Sequence, residues 1–243
     1  MMTRLRQRLQ SLKSRKTISG SFWVIFGFGV QKGVQLVSNL ILTRLLYPEA
    51  FGLMAIVYSF MAAVQMFSDI GIRPSVIQSN NIDDSRFLNT AWTLQIIRGF
   101  GIAAVICLLA YPIANVYAED MLFGLLCVTG LTAVVTGFQS INIILAERDI
   151  NYKKLMIMRA ASQMVTLIAT ATLAYFYESV WALAWGALFG CVLDVLLGHF
   201  IFRGHTHRFV LDKKYVGKIF RFGQWIFWST VFTYFSGQGM RAI

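Results

Sequence analysis

Six runs of about twenty apolar residues constrain this 243-residue chain more than any other feature. At 1.5 Å per residue, a helix of that length crosses roughly 30 Å of hydrocarbon. The runs cover Phe22–Leu46, Phe51–Ile72, Phe87–Tyr111, Met121–Leu145, Leu155–Phe176 and Trp181–Phe202, and a seventh begins at Phe220. In lipid every backbone N–H and C=O must be bonded within its own segment, so spans this long are helices. The expectation is an all-α polytopic membrane protein. It would have a basic tail over 1–17, a six-helix unit over 18–203, a basic loop over 204–219 and a seventh helix from 220 to 243. With 57% hydrophobic residues, the composition agrees.

A net charge of +11 would suggest a nucleic-acid partner if the basic residues clustered on a soluble face. They alternate instead. Six lie in the N-terminal tail, and Arg73 and Arg86 lie between spans two and three. Arg148, Lys153, Lys154 and Arg159 lie between spans four and five; Arg203, Arg208, Lys213, Lys214, Lys218 and Arg221 follow span six. Across the opposite turns only Arg44 is found. By the positive-inside rule this places the N-terminus in the cytoplasm and removes the case for nucleic acid. No small-residue cleavage site follows the first apolar run, so it reads as a retained span rather than a signal peptide. Cys107, Cys127 and Cys191 sit inside apolar runs, where neither a disulfide nor a metal site is expected. The chain has neither Walker-type glycines nor a nucleophile motif, and the outer turns are short. No cofactor, metal or enzymatic reaction is expected.

The polar residues inside the runs carry the functional information. Lys32, Gln35, Asn39 and Thr43 step by three, four and four along one helix face, with Gln31 adjacent and Gly27, Gly29 and Gly33 flanking. A charge at mid-bilayer costs from about 2.5–3.5 kcal/mol upward, so this stripe should face a cavity or another helix. Arg98, in TLQIIRGFG, lies roughly 15 Å deep if its span starts at Phe87. It marks the interface if DDSRFLNTAW is instead an amphipathic entry helix. Asp69, beside Gly71 and Pro74, could pair with Arg73 or Arg98 as a gate, or hydrogen-bond at a helix end. Asp194 could titrate in an ion-coupling step or hold Lys32 in an ion pair. His205 and His207 stand in a loop that reads as a solvated basic face near lipid headgroups, with too few companions for a metal site.

Four phrases fall in order at matching membrane positions: LILTRLLYPEAFGLMAIV, FSDIGIRPSVIQ, ILAERDINYKKL and FGQWIFWSTVFTYFSGQG. Together they resemble the polysaccharide biosynthesis proteins that flip lipid-linked oligosaccharides, O-antigen translocase-like members of the multidrug/oligosaccharidyl-lipid/polysaccharide exporter superfamily. The resemblance runs from about Ser19 to the end. It implies a two-lobed alternating-access transporter in the bacterial cytoplasmic membrane, of which this chain would carry the first lobe and the start of span seven. The implied substrate is a polyprenyl-pyrophosphate-linked oligosaccharide. Its phosphates would meet Lys32 and Arg98, while Gln31, Gln35 and Asn39 bond sugar or phosphate oxygens. Membrane lipids, and a polymerase with other assembly proteins, are the implied partners. Two further readings stay open: a cation-coupled multidrug antiporter using Asp69 or Asp194, and a truncated remnant or assembly partner. A membrane glycosyltransferase fits poorly with such short outer loops.

Overall fold

The computed structural model describes residues 2–79, 82, 84–149 and 152–225, with side chains from Phe22 onward. The sequence expected in the seventh span beyond residue 225 lies outside them. Among the described residues the helices follow in the order α1 (Met2–Leu45), α2 (Pro48–Phe67), α3 (Ile72–Gln78), α4 (Ser85–Tyr117), α5 (Met121–Gly137), α6 (Ile141–Arg148), α7 (Tyr152–Tyr177) and α8 (Trp181–Ile201). A further helix, α9, covers 213–225. No strand occurs among the described residues. Among the described residues, five helices are long and apolar enough to cross a membrane, and α5 with α6 makes a sixth if the bent pair is one span. The protein is an all-α polytopic membrane protein.

One end of the bundle is closed by tight turns. Pro48 opens α2, at a position where its missing N–H leaves no bond unmade. Ala118 (φ 52°) and Glu178 (φ 46°) take the left-handed conformation that ends α4 and α7. Around these turns packs the main apolar core, with Met54, Val57, Ile106, Leu122, Leu125 and Ala184 deeply buried. The other end carries the basic connections and two smaller cores. Ile72, Phe87, Ile141 and Ile219 draw α3, α4, α6 and α9 together, and Ile143, Leu155 and Phe202 join α6, α7 and the end of α8.

The helix α4 is continuous from Ser85, so DDSRFLNTAW is no separate entry helix. Its 33 residues would extend about 50 Å, against about 30 Å of hydrocarbon. The excess is accommodated at the basic end, where residues 87–94 are buried by neighbouring protein. Asp84 caps the helix, accepting from the Arg86 N–H at 2.8 Å and from the Tyr215 hydroxyl of α9. That hydroxyl holds the Asp84 carboxyl below the usual carboxylate range.

The fourth apolar run departs from the straight span expected over Met121–Leu145. It breaks after Gly137 and turns by 62° into α6. Two features fix the break. Ser140 begins a new helix as its N-cap, accepting from Asn142 N–H at 3.3 Å. Close packing of α4 on α5 at Gly99 and Gly137 brings the Gln95 side chain over the broken end. There its Nε2 lies 3.1 Å from the Gly137 carbonyl and 3.3 Å from those of Thr136 and Gln139. An amide side chain thus supplies the donors that a continuing helix would have supplied. The second run also ends earlier than expected, at Phe67 rather than Ile72. Gly71 (φ 65°) then redirects the chain into α3.

A Cβ added at Gly99 would stand 2.5 Å from the Ala133 carbonyl oxygen and 3.3 Å from the Gly137 Cα. Because those neighbours are backbone, the helices themselves must separate. Gly99→Val is therefore expected to lower the thermal midpoint of the detergent-solubilised protein by several degrees, from about 1–3 kcal/mol of overpacking. An unchanged midpoint in a fluorescence-monitored melt would show that this crossing does not hold the bundle.

Candidate functional site

At the basic end, α2, α3, α4, α5 and α6 surround a cavity of about 290 Å³. Its polar wall is made by Gln65, Asp69, Arg73, Gln95, Arg98 and Gln139. Local structure places each of them. The Asp69 carboxylate accepts from the Gly71 N–H at 3.0 Å, shaping the turn that presents Arg73. Arg73 forms a two-pronged pair with Glu147 on α6, its Nε 2.8 Å from Oε2 and its Nη2 on Oε1. Arg159, from α7, reaches the same Oε1 at 3.1 Å. Glu147 is only 7% exposed, whereas Arg73 is 54% exposed. One buried carboxylate therefore holds two guanidiniums, leaving an excess positive charge at the cavity edge. Arg148 turns the other way, donating to the Val76 and Ser79 carbonyls at the end of α3.

Arg98 is less exposed than Arg73 or Arg159. Its Nη2 donates to the Gln65 carbonyl at 3.1 Å and its Nε to Ser68 Oγ at 3.4 Å, and Nη1 stands 3.9 Å from Asp69. Both alternatives raised for Asp69 are thus present together, a helix-end hydrogen bond and an approach to Arg98. With Asp69 56% exposed, that approach contributes on the order of 0–1 kcal/mol, too little to lock the guanidinium.

The α1 stripe lies elsewhere. Gln35 and Asn39 line a separate cavity of about 460 Å³ walled by α1, α2, α7 and α8, with Tyr58, Gln163 and Thr166. It shares no lining residue with the Arg98 cavity. Lys32 lines neither. It is exposed, donates to Gln35 at 2.9 Å and stands 5.5 Å over the Phe28 ring. The Gln31 backbone carbonyl accepts from Gln163 at 3.2 Å. Of the flanking glycines, Gly27 packs closely on Met156, while Gly29 and Gly33 meet nothing within 4 Å. The structure does not bring Lys32 and Arg98 into one cavity. Asp194 lies on α8 with Oδ1 buried and without a hydrogen-bond partner among the described residues.

Sequence reading gave no role to the buried polar residues of α4, and the histidine loop explains them. Residues 203–212, irregular and bent at 204 and 205, cross α4 and α6. Asn89 Oδ1 accepts from the Arg208 N–H at 3.0 Å and from His205 Nε2 at 2.9 Å. Thr93 and Thr90 accept from the Val210 and Asp212 N–H groups at 3.2 and 3.3 Å. Asn142 exchanges two bonds with the His205 backbone. These side chains act as the partner strand that the loop lacks. The loop was expected to be a solvated basic face; it is clamped by its backbone, while Arg203, Arg208, Lys213 and Lys214 stay exposed. A signal was legible in Asn89, Thr90 and Thr93, polar residues clustered where the α4 run turns apolar.

His207 closes the strap. Its Nε2 accepts from the Ile141 N–H at 3.1 Å, and its ring lies 5.0 Å from Trp92 and 5.1 Å from His199. Burial, helped by His199 and His205, pushes the imidazole down to about 4. Burial lowers His205 as well.

A family model described as "Polysaccharide biosynthesis protein" matches residues 41–243. The lipopolysaccharide biosynthesis protein WzxC of Escherichia coli (strain K12) is 26% identical over 227 residues, which is 90% of this chain and 44% of that protein. The chain thus spans less than half the length of the curated relative it matches. No solved structure matches it.

The docked strap requires neutral His207, because a proton on Nε2 would face the Ile141 N–H. A free imidazole takes its proton near pH 6.5, and the docked one near 4. Docking is fully stabilised above about pH 6.5 and weakens as pH falls from there toward about 4. Hydrogen–deuterium exchange, corrected for intrinsic rates, should show protection of the Arg208, Val210 and Asp212 amides disappearing across that window. Equal protection at both ends would remove His207 from the clamp.

Proposed function

This chain belongs to the polysaccharide biosynthesis protein family, and on that premise we propose that it moves a lipid-linked oligosaccharide across a bacterial cytoplasmic membrane. The substrate class is an oligosaccharide on a polyprenyl pyrophosphate, destined for O-antigen or other surface polysaccharide. The reaction is translocation rather than bond making or breaking. The N-terminus and the basic connections face the cytoplasm, and the described helices form one lobe of an alternating-access transporter. The observation that carries this reading is the cavity at the basic end, where Arg98 and Arg73 stand among amide side chains.

The chemistry follows from that wall. Glu147 satisfies Arg73 and Arg159 together, so the cluster keeps more positive than negative charge at the cavity edge. A pyrophosphate supplies the missing anion and accepts planar, two-pronged hydrogen bonds from guanidinium. Gln65, Gln95 and Gln139 supply neutral polar groups suited to sugar hydroxyls or phosphate oxygens. Gln35 and Asn39, in the second cavity, offer a further polar wall, and Lys32 on the open face of α1 a further cation. A second reading, a cation-coupled antiporter, draws support from Asp194, a carboxylate within α8 whose buried Oδ1 has no hydrogen-bond partner among the described residues.

The test is surface polysaccharide display in cells lacking their own flippase, with membrane abundance checked by blot. Arg98→Gln should reduce display about tenfold or more, since a charge-assisted bond contributes about 1.5–3 kcal/mol. Arg98→Lys should keep part of it, and Lys32→Ala reports whether the α1 cation takes part. Wild-type display by the Arg98→Gln, Arg73→Gln double variant would overturn the cavity as substrate site. Loss of display in Asp194→Asn alone would favour ion coupling through α8.

A further inference from the structure

Arg98 lines two cavities of opposite character. Beside the polar one lies a groove of about 310 Å³ between α2, α4 and α9, apolar except at Arg98 and Ser68. Val64, Leu94, Ile97, Val105 and Phe220 form its walls. The two spaces meet at Arg98 and Ile102, which line both. Ile97, Val105 and Phe220 are exposed, so the groove opens outward from the bundle.

Its floor is a missing side chain. In the sequence RGFGI, Gly99 faces α5, where backbone atoms leave no room for a Cβ. Gly101 lies two residues on, about 200° around the helix, and a Cβ there would meet nothing within 4 Å. Packing explains the first glycine and not the second. The outer wall is fixed by α9, where Gly223 packs directly on the Ile70 carbonyl and so brings Phe220 beside α2 and α4.

Resting on the transport reading above, we propose that this groove holds the proximal part of the lipid tail of a phosphate- or pyrophosphate-headed amphiphile whose head sits at Arg98. Charge and polarity are complementary to such a molecule end to end. Of the five N–H groups of the guanidinium, those on Ser68 and Gln65 are engaged, and among the described residues the Nη1 group has only Asp69 at 3.9 Å. Donors therefore remain for an anion at the point where the polar wall gives way to the apolar one. The groove at Arg98 is a single channel of about 310 Å³ among the described residues, which fits a single-tailed lipid such as a polyprenyl phosphate better than a two-tailed phospholipid.

The full-length protein would be reconstituted in phosphatidylcholine nanodiscs with a polyprenyl phosphate carrying a photoreactive group near its phosphate end. Cross-links mapped by mass spectrometry should fall on Ile97, Val105 or Phe220. Gly101→Phe fills the groove and should cut labelling about tenfold or more. Gly101→Phe should keep the parent's thermal midpoint, and Gly52→Phe, at an equally open position on α2 outside the groove, should label as the parent. Undiminished labelling in Gly101→Phe, or equal competition by a diacyl phosphatidic acid, would overturn the tail site. Inorganic pyrophosphate should protect the parent and Gly101→Phe alike from an arginine-directed reagent at Arg98, so the head reading can stand if the tail inference fails. Absence of that protection, with labelling unaffected by Arg98→Gln, would overturn the head reading itself.

Discussion

The arrangement at the basic end depends on how closely α4 and α5 cross. Gly99 and Gly137 let the two backbones meet with no side chain between them. That approach places Gln95 over the carbonyls where the fourth apolar run breaks. Without such a donor, a helix broken in an apolar environment exposes carbonyls at several kcal/mol each, and the run would be driven to continue straight. The bend in turn carries α6 under α3 and α7. Glu147 then comes within reach of Arg73, 74 positions away in sequence, and of Arg159 on α7.

Glu147 shows why the cluster holds charge safely. A lone buried carboxylate would be neutralised or exposed, but two guanidiniums satisfy both of its oxygens. The outcome is an uneven pairing in which arginines outnumber their acidic partners around the cavity. Arg98 completes the wall from α4 and is tethered chiefly by neutral acceptors. A cation held by carbonyl and hydroxyl oxygens keeps its charge available to an incoming anion, whereas one locked on a carboxylate does not.

The strap over α4 and α6 is a second instance of side chains completing a backbone. Asn89, Thr90, Thr93 and Asn142 take up N–H groups that an irregular loop would otherwise leave to water. The strap also links α4, α6 and the end of α8, the elements around the bent span. Neutral imidazole at His207 is part of that link because the Ile141 N–H needs an acceptor.

Much of the fold was legible in the sequence, because hydrophobic run length and the placement of Lys and Arg are local properties that act through the bilayer. Spans one, three, five and six, the tight turns at one end and the basic connections at the other follow from those properties alone. The break at Gly137 was signalled only by a glycine and a capping serine, which become decisive once Gln95 from another helix caps the broken end. The candidate site was less legible. Sequence spacing put Lys32, Gln35 and Asn39 on one helix face, but spacing cannot say what that face looks toward. Lys32 and Arg98 both read as intramembrane cations, yet tertiary packing separated them and placed Arg98 in one cavity with Arg73 and Asp69. Which charges share a cavity is set by contacts between residues tens of positions apart, and no local pattern encodes that distance.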